Sequence, residues 1–124
     1  MPLKKEVKKL LEVSSLAASA TTDLKDCELL DLSDVEFLAL TIEVKHNASA
    51  TKAVLVHVRS DITGGAPDTT DYAVFEAHLS PGNLSKKTVA ISPDPKYIKV
   101  YLENQDPSYA ATNIKVWATL GYSE

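Results

Sequence analysis

Two-residue alternation of apolar and polar side chains runs through most of the chain and restricts it to a β fold. The segment 35–46, VEFLALTIEVKH, shows the pattern clearly, because every second position from Leu38 to Val44 is aliphatic. The same alternation recurs in the segments 53–59, 73–79, 97–103 and 114–120. Successive side chains of a strand point to opposite faces of a sheet, so this period predicts strands that each have one apolar face.

The spacing of these segments predicts an all-β domain with seven or eight strands, because turn signals separate them at intervals usual in sandwiches. The sequence shows no alternation of strands with helical segments, which excludes a parallel sheet. Its 124 residues suit one domain with a substantial core. We therefore predict a jelly-roll-like antiparallel β-sandwich over residues 14–124. Its predicted core residues are Leu40, Ile42, Val54, Val56, Phe75, Val100 and Val116.

The first thirteen residues show a different spacing and predict a separate N-terminal arm or short amphipathic helix. Apolar residues fall at i, i+4, i+7 and i+8 from Leu3 to Leu11, with lysines between them. A helix this short is unstable alone in water, so we expect the arm to order against a partner and to be dispensable for folding. The residues expected to contact that partner are Leu3, Lys4, Lys5, Val7, Lys8 and Leu10.

The charge and hydropathy of the chain argue against nucleic acid and membrane partners. The net charge is −4, and the single arginine, Arg59, belongs to no basic stripe along the predicted strands. Nucleic-acid recognition normally uses such a stripe. No apolar run approaches the ~18 residues of a membrane span, and the lysine-rich start lacks the apolar stretch of a signal peptide. We therefore expect synthesis in the cytoplasm.

The sequence contains no catalytic signature, since G-x-S-x-G, glycine-rich phosphate loops and H-E-x-x-H are all missing from it. Its three histidines, His46, His57 and His78, lie in separate segments without the spacing of zinc ligands. The lone Cys27 can form no intrachain disulfide and is expected to be buried and inert. We predict that the chain is not an enzyme and needs no cofactor.

Three aspartates surround a glycine pair in the longest polar interruption of the pattern. Asp61, Asp68 and Asp71 flank Gly64 and Gly65 there. Carboxylate oxygens of this kind can bind calcium, although their spacing does not match an EF-hand loop. Aspartate and glycine also stabilise tight turns through the backbone, so an exposed loop is the first interpretation and calcium the alternative.

The last two alternating segments place aromatic and basic residues opposite their apolar positions. These residues are Tyr97, Lys99, Tyr101, Lys115 and Trp117. If the two segments pair as a hairpin, their rings share one surface. Three interpretations then remain open: burial beneath the N-terminal segment, contact with another subunit, and stacking against a sugar. Tyrosine and tryptophan are enriched at interfaces, which makes subunit contact a leading hypothesis.

Two stretches of the sequence carry a resemblance to a known class of proteins. They are VHVRSDITGGAPDTTDYAVFEAHLS and YIKVYLENQDPSYAATNIKVWATLGY. From Asp34 to Tyr122, the pattern resembles that of small accessory structural proteins of tailed bacteriophage virions, such as head-decoration proteins. The resemblance implies a non-enzymatic homo-oligomer, such as a trimer, made in the host cytoplasm and located in the virion. It also implies docking on the major capsid protein or another virion protein.

An alternative function of a different class uses the same aromatic residues. Tyr97, Tyr101 and Trp117 would form an exposed stacking platform if the chain were a carbohydrate-binding module. The two hypotheses predict different behaviour, because a sugar platform needs no second subunit.

Overall fold

The computed structural model describes residues 3–123, which form two stacked four-stranded antiparallel sheets. The all-β sandwich predicted from the alternation is confirmed, with eight strands. The strands are β1 (Leu3–Leu16), β2 (Leu30–Asp31), β3 (Val35–Lys45), β4 (Val54–Asp61), β5 (Ala73–Glu76), β6 (Leu84–Ile91), β7 (Tyr97–Asn104) and β8 (Ala111–Ser123). One short 3₁₀ helix, Leu24–Asp26, precedes β2. Residues 3–123 contain no helix of the length and hydrophobicity needed to cross a membrane.

The strand order is nested, as in a long hairpin rolled onto itself. Sheet I has the order β1-β8-β3-β6, and sheet II has the order β2-β7-β4-β5. The earliest strand of each sheet therefore pairs with its latest strand, β1 with β8 and β2 with β7. This connectivity is jelly-roll-like. Because the chain crosses between sheets at most connections, β7 belongs to sheet II and β8 to sheet I.

The core fills the space between the inner faces of the two sheets. Six of the seven predicted core residues have no exposed surface: Leu40, Ile42, Val54, Val56, Val100 and Val116. The seventh, Phe75, is only partly buried and packs against the rim of the core. It lies on β5, a four-residue strand at the edge of sheet II, where no further strand covers its outer side. The placement of Phe75 in the core was therefore wrong.

The predicted N-terminal arm or helix is instead strand β1, and the predicted boundary near Ser14 falls inside this strand. β1 pairs with β8 from Leu3 opposite Ser123 to Leu16 opposite Ala111, with a register shift between Lys9 and Leu11. The shift is a β-bulge, which adds one residue and turns two neighbouring side chains inward. Leu10 and Leu11 are accordingly both buried, at 2% and 5% exposure. This bulge breaks the period of two and produced the helix-like spacing.

Candidate interaction surfaces

The aromatic residues predicted to share one surface lie on opposite sides of the sandwich. Tyr97 and Tyr101 are on β7 and face outward from sheet II, whereas Trp117 is on β8 and faces outward from sheet I. β7 and β8 do not pair, so the predicted hairpin is wrong. Alternation alone cannot reveal this, because the same inward and outward positions result whichever strands are neighbours.

Burial beneath the N-terminal segment is also ruled out for Trp117. β1 lies beside β8 within sheet I, with Lys9 paired to Trp117, and does not lie over it. The indole is half-buried. Of the three interpretations, contact with another subunit and sugar binding remain for this ring.

Trp117 lies near the centre of an outer surface that spans all four strands of sheet I. We call this surface the Trp117 face. Strand register places its residues in three rows across β1, β8, β3 and β6 and a fourth row across the first three strands. The rows are Lys5–Gly121–Phe37, Val7–Thr119–Ala39–Ala90, Lys9–Trp117–Thr41–Thr88 and Glu12–Lys115–Glu43–Lys86.

The two middle rows of the Trp117 face consist largely of small and hydroxyl-bearing residues, with Trp117 as the one large ring. Val7 is 64% exposed on this surface, and Phe37 is 38% exposed at its end. A depression of about 210 Å³ lies beside the indole, lined by Val7, Thr41, Lys86, Trp117 and Thr119. Exposed apolar side chains at such a depression are typical of a protein contact surface.

Two lysines lean over the indole from the fourth row. The Nζ atoms of Lys86 and Lys115 lie 5.8 and 6.0 Å from the centroid of the Trp117 ring. Both distances are within the range of cation–π attraction. Lys86 Nζ also lies 3.8 Å from Glu43 Oε1. The charges along this row alternate strand by strand, so that each lysine is beside a glutamate.

The residues of the N-terminal segment that were predicted to contact a partner differ in their exposure on β1. Lys4, Lys5, Val7 and Lys8 are exposed on β1, which forms the edge of sheet I. Leu10 is buried in the core and is therefore not available to a partner. The side chain of Leu3 lies outside the described part of the chain. The exposed edge of β1 is consequently a lysine-rich strip.

The outer face of sheet II carries a polar cluster that sequence reasoning missed. His57 Nδ1 lies 2.8 Å from Asp71 Oδ2, and His57 Nε2 lies 2.9 Å from Glu103 Oε1. The imidazole also stacks on the Tyr101 ring, with centroids 4.4 Å apart and planes inclined by 2°. The four residues come from β4, the following loop and β7, so only the β4–β7 pairing brings them together.

Arg59 completes this cluster and holds the loop against the sheet. Its Nε donates to Asp71 Oδ1 at 2.7 Å, and its Nη1 donates to the Asp68 carbonyl oxygen at 3.0 Å. Its Nη2 donates to the Tyr101 hydroxyl at 3.3 Å. Partial burial disfavours the Asp71 carboxylate, but the hydrogen bonds from Arg59 and His57 outweigh it and lower the pKa of Asp71. These hydrogen bonds of His57 and Arg59 all join β4 to the loop or to β7, which makes the cluster a structural tie.

A cleft of about 390 Å³ lies beside this cluster, lined by Thr21, Thr22, Asp23, Leu24, Arg59 and Tyr101. The segment 21–24 forms its far wall. Thr22 N donates to the Leu102 carbonyl oxygen, and Leu102 N donates to Thr22 Oγ1, both at 2.9 Å. This segment therefore flanks β7 on the side opposite β4 and His57. Tyr97 and Lys99, the other predicted surface residues of β7, are half-buried and do not line this cleft.

The three aspartates considered for calcium do not converge. Asp61 is fully buried, and its Oδ1 accepts hydrogen bonds from Thr63 N at 2.9 Å and Gly64 N at 2.7 Å. Gly64 has φ = +85°, a conformation that favours glycine. Asp71 is bound to Arg59 and His57 instead. Within residues 3–123, no group of three or more His, Cys, Asp or Glu side chains is placed to hold a metal ion. The hydrogen bonds of Asp61 to the backbone N–H groups of Thr63 and Gly64 are those of a tight turn, which agrees with the first interpretation of this loop.

Cys27 and His46 are both buried within the fold. The Cys27 sulfur accepts a hydrogen bond from Val100 N at 3.3 Å, and burial raises the pKa of its thiol. His46 Nε2 accepts from Val54 N at 3.1 Å, and burial lowers the pKa of its imidazole. Both side chains accept a hydrogen bond from a backbone N–H group of a strand. The expectation that Cys27 is buried is confirmed.

No protein-family model matches the chain, and no curated protein matches it. Solved structures do share its fold. The exported protein XepA of PBSX has a TM-score of 0.55 at 15% identity, covering 96% of this chain and 38% of XepA. The structure of the infectious bursal disease virus Gx strain has a TM-score of 0.52 at 12% identity. The match covers 97% of this chain and 32% of the viral chain.

The VP2 subviral particle of infectious bursal disease virus also matches, with a TM-score of 0.50 at 11% identity over 95% of this chain and 32% of VP2. The present chain thus spans between about a third and two-fifths of the length of these three chains. At identities this low, the likeness shows the β-sandwich fold alone.

Proposed function

We propose that the chain is a non-enzymatic virion structural protein, a capsid decoration or accessory protein that self-associates and docks on the shell. The observation that carries this proposal is the Trp117 face. It spans four strands, exposes Val7 and Phe37, and centres on the indole. Tryptophan is among the residues that contribute most to association, and a four-stranded sheet face offers it a broad contact area.

The fold and the polar clusters support a structural role over a catalytic one. The β-sandwich is shared with XepA and with the particle-forming VP2. On sheet II, both ring nitrogens of His57 bind carboxylates, so neither is free to activate a nucleophile. A role in assembly would use the Trp117 face and the exposed part of the edge strand β1.

The lysine strip of β1 is the proposed contact with the shell. Lys4, Lys5 and Lys8 are exposed on β1, the edge strand of sheet I, where charged side chains also discourage uncontrolled strand pairing. An acidic surface of the major capsid protein or another virion protein is the partner whose chemistry fits this strip. The partner contact expected from a separate N-terminal arm is thus proposed for an edge strand of the sandwich.

Mass spectrometry of gradient-purified particles from the source host tests the proposal. We expect the chain in multiple copies per particle. A variant with Lys4 and Lys8 changed to glutamate should be lost from the particles while remaining folded in the lysate. A matched control changes the exposed residues Lys52 and Lys87 to glutamate and should be retained, because Lys52 lies in a loop and Lys87 lies on β6, the edge of sheet I opposite β1. Absence of the unmodified chain from the particles would contradict the proposal.

The cleft beside Tyr101 favours carbohydrate binding as a second candidate function. An aromatic ring flanked by Arg59, Asp23 and Thr21 combines a stacking surface with polar groups, as sugar sites require. Tyr101 alone would supply the ring, because Trp117 lies on the other sheet. Affinity electrophoresis in gels that contain soluble glucan, xylan or mannan tests this function. Retardation that Tyr101→Ala abolishes and Trp117→Ala preserves would support sugar binding, and uniform mobility in all gels would exclude these polysaccharides as ligands.

A further inference from the structure

The rows of the Trp117 face have an order that makes the surface complementary to itself. In the charged row, the sequence of signs across β1, β8, β3 and β6 is minus, plus, minus, plus, from Glu12, Lys115, Glu43 and Lys86. Reversing this row places each glutamate opposite a lysine. A twofold axis parallel to the strands, midway between β8 and β3, produces this reversal when two copies pack face to face.

The same axis also matches large side chains to small ones. It sets Trp117 of one copy over Thr41 of the other, and Thr41 lines the depression beside the indole. It also sets Val7 over Ala90. Since the contact is isologous, every such match occurs twice.

Other symmetric arrangements lose this complementarity. A twofold axis along the charged row would place Glu12 and Lys115 each opposite its own copy, so that like charges would meet. An axis along the row of Trp117 would press the charges against Val7, Ala39 and Ala90, where they would be desolvated without partners. A trimer, the oligomer suggested by the phage resemblance, needs two different surfaces and does not use the reversal.

The dimensions of the face set the expected strength of the contact. Four strands about 4.8 Å apart and four rows about 6.8 Å apart cover about 500 Å². Two copies would then bury about 1,000 Å² in total, the lower end of specific interfaces. We therefore expect a weak contact, with a dissociation constant in the micromolar range or higher. Multiple copies on a shell would strengthen it.

We infer that the Trp117 face binds a second copy of this chain about a twofold axis that runs along the strands between β8 and β3. The inference rests on the proposed function, of which it specifies the partner and the geometry. Trp117 and Thr41 of the two copies form its centre, on the strands that lie about 2.4 Å to either side of the axis in projection, where the twist between packed sheets displaces residues least.

Distances between spin labels test the geometry directly. Lys45→Cys and Glu36→Cys place labels on exposed positions at the two ends of β3, and the buried Cys27 should take up no label in the unmodified chain. Strands that run the same way in both copies bring identical labels within about 25 Å at both positions. An axis across the strands separates the labels to above about 30 Å at one or both positions, and that result would overturn the inference.

A pair of charge variants tests the same surface in solution. The first, Glu12→Lys with Glu43→Lys, makes the row entirely basic, and the second, Lys86→Glu with Lys115→Glu, makes it entirely acidic. By sedimentation equilibrium, we expect each alone to dimerise at least tenfold more weakly and their equimolar mixture to recover dimers. If either variant fails to fold by circular dichroism, the spin-label distances decide.

The outcomes for this inference and for the proposed function are separable. A dimer with a long label distance at either end, or one that survives in both charge variants, contradicts the geometry and leaves the virion role standing. A protein that stays monomeric at millimolar concentration contradicts the geometry and self-association together. A dimer of the inferred geometry in a chain absent from purified particles supports the interface and removes the virion role.

Discussion

Gly121 on β8 lies directly beneath Phe37 on β3, so closely that a Cβ atom built on the glycine would stand 2.9 Å from the Phe37 Cβ. The two residues are paired in the register of sheet I. Separations this short do not occur between real side chains, so any larger residue at position 121 must displace the ring or the strand. The glycine therefore permits Phe37 to fold over the end of the Trp117 face.

Gly121→Ala should lower the free energy of unfolding by about 1–3 kcal/mol, because the added methyl group overpacks the contact with Phe37. Urea denaturation followed by circular dichroism measures the change. Gly65→Ala is the matched control, since a Cβ at position 65 meets no atom within 4 Å. Equal stability of the Gly121 variant and the unmodified chain would show that Phe37 moves freely away.

Leu11→Ala should cost about 2–5 kcal/mol, because β1 is part of the core and not an appendage. Val7→Ala on the same strand is the control, since Val7 is 64% exposed and its loss should change the stability of the monomer by at most about 0.5 kcal/mol. For the same reason, deletion of residues 1–13 should abolish cooperative unfolding. A truncated chain that melts like the complete one would restore the idea of a dispensable arm.

Asp106 should make the fold sensitive to acid. Its carboxylate accepts hydrogen bonds from Thr51 N, Ser108 N and Tyr109 N, each at 2.9 Å. The Thr51 N–H is the main cause of the lowered pKa of Asp106. A depressed folded-state pKa gives stability that is fully present above the unfolded value of about 4 and is lost as the pH falls through the folded value.

Asp106→Asn should therefore lower the melting temperature at pH 7 and lower it much less at pH 3. Melting curves of both proteins at the two pH values give the difference. Asp34→Asn serves as the control, because Asp34 is exposed. An equal decrease at both pH values would mean that the charge of Asp106 does not contribute to the stability.

Trp117→Ala should weaken self-association at least tenfold while leaving the β spectrum intact, because the indole is the largest ring of its face. Sedimentation equilibrium over a range of concentrations measures the change. Tyr97→Ala removes an aromatic ring from the opposite sheet and should leave association unchanged. If the two substitutions have the same effect, the contact between copies does not use sheet I.

The sequence alone determined most of the strands and most of their inward residues, because alternation is a local property of the backbone. Leu40, Ile42, Val54, Val56, Val100 and Val116 were correctly placed in the core on this basis. The exception, Phe75, shows the limit of the rule, since alternation does not reveal that β5 is a short edge strand. The bulge at Leu10 shows another limit, because one inserted residue changes the period to one that resembles a helix.

Only the tertiary structure decided which strands are neighbours, and with them the composition of each surface. Strand pairing joins residues far apart in the chain, and the period of two is the same for every possible partner. Trp117 was therefore assigned to the surface of Tyr97 and Tyr101 until the roll of the chain placed β7 and β8 in different sheets. The clustering of His57 with Glu103, and the reversible order of charges around Trp117, exist only after this choice is made.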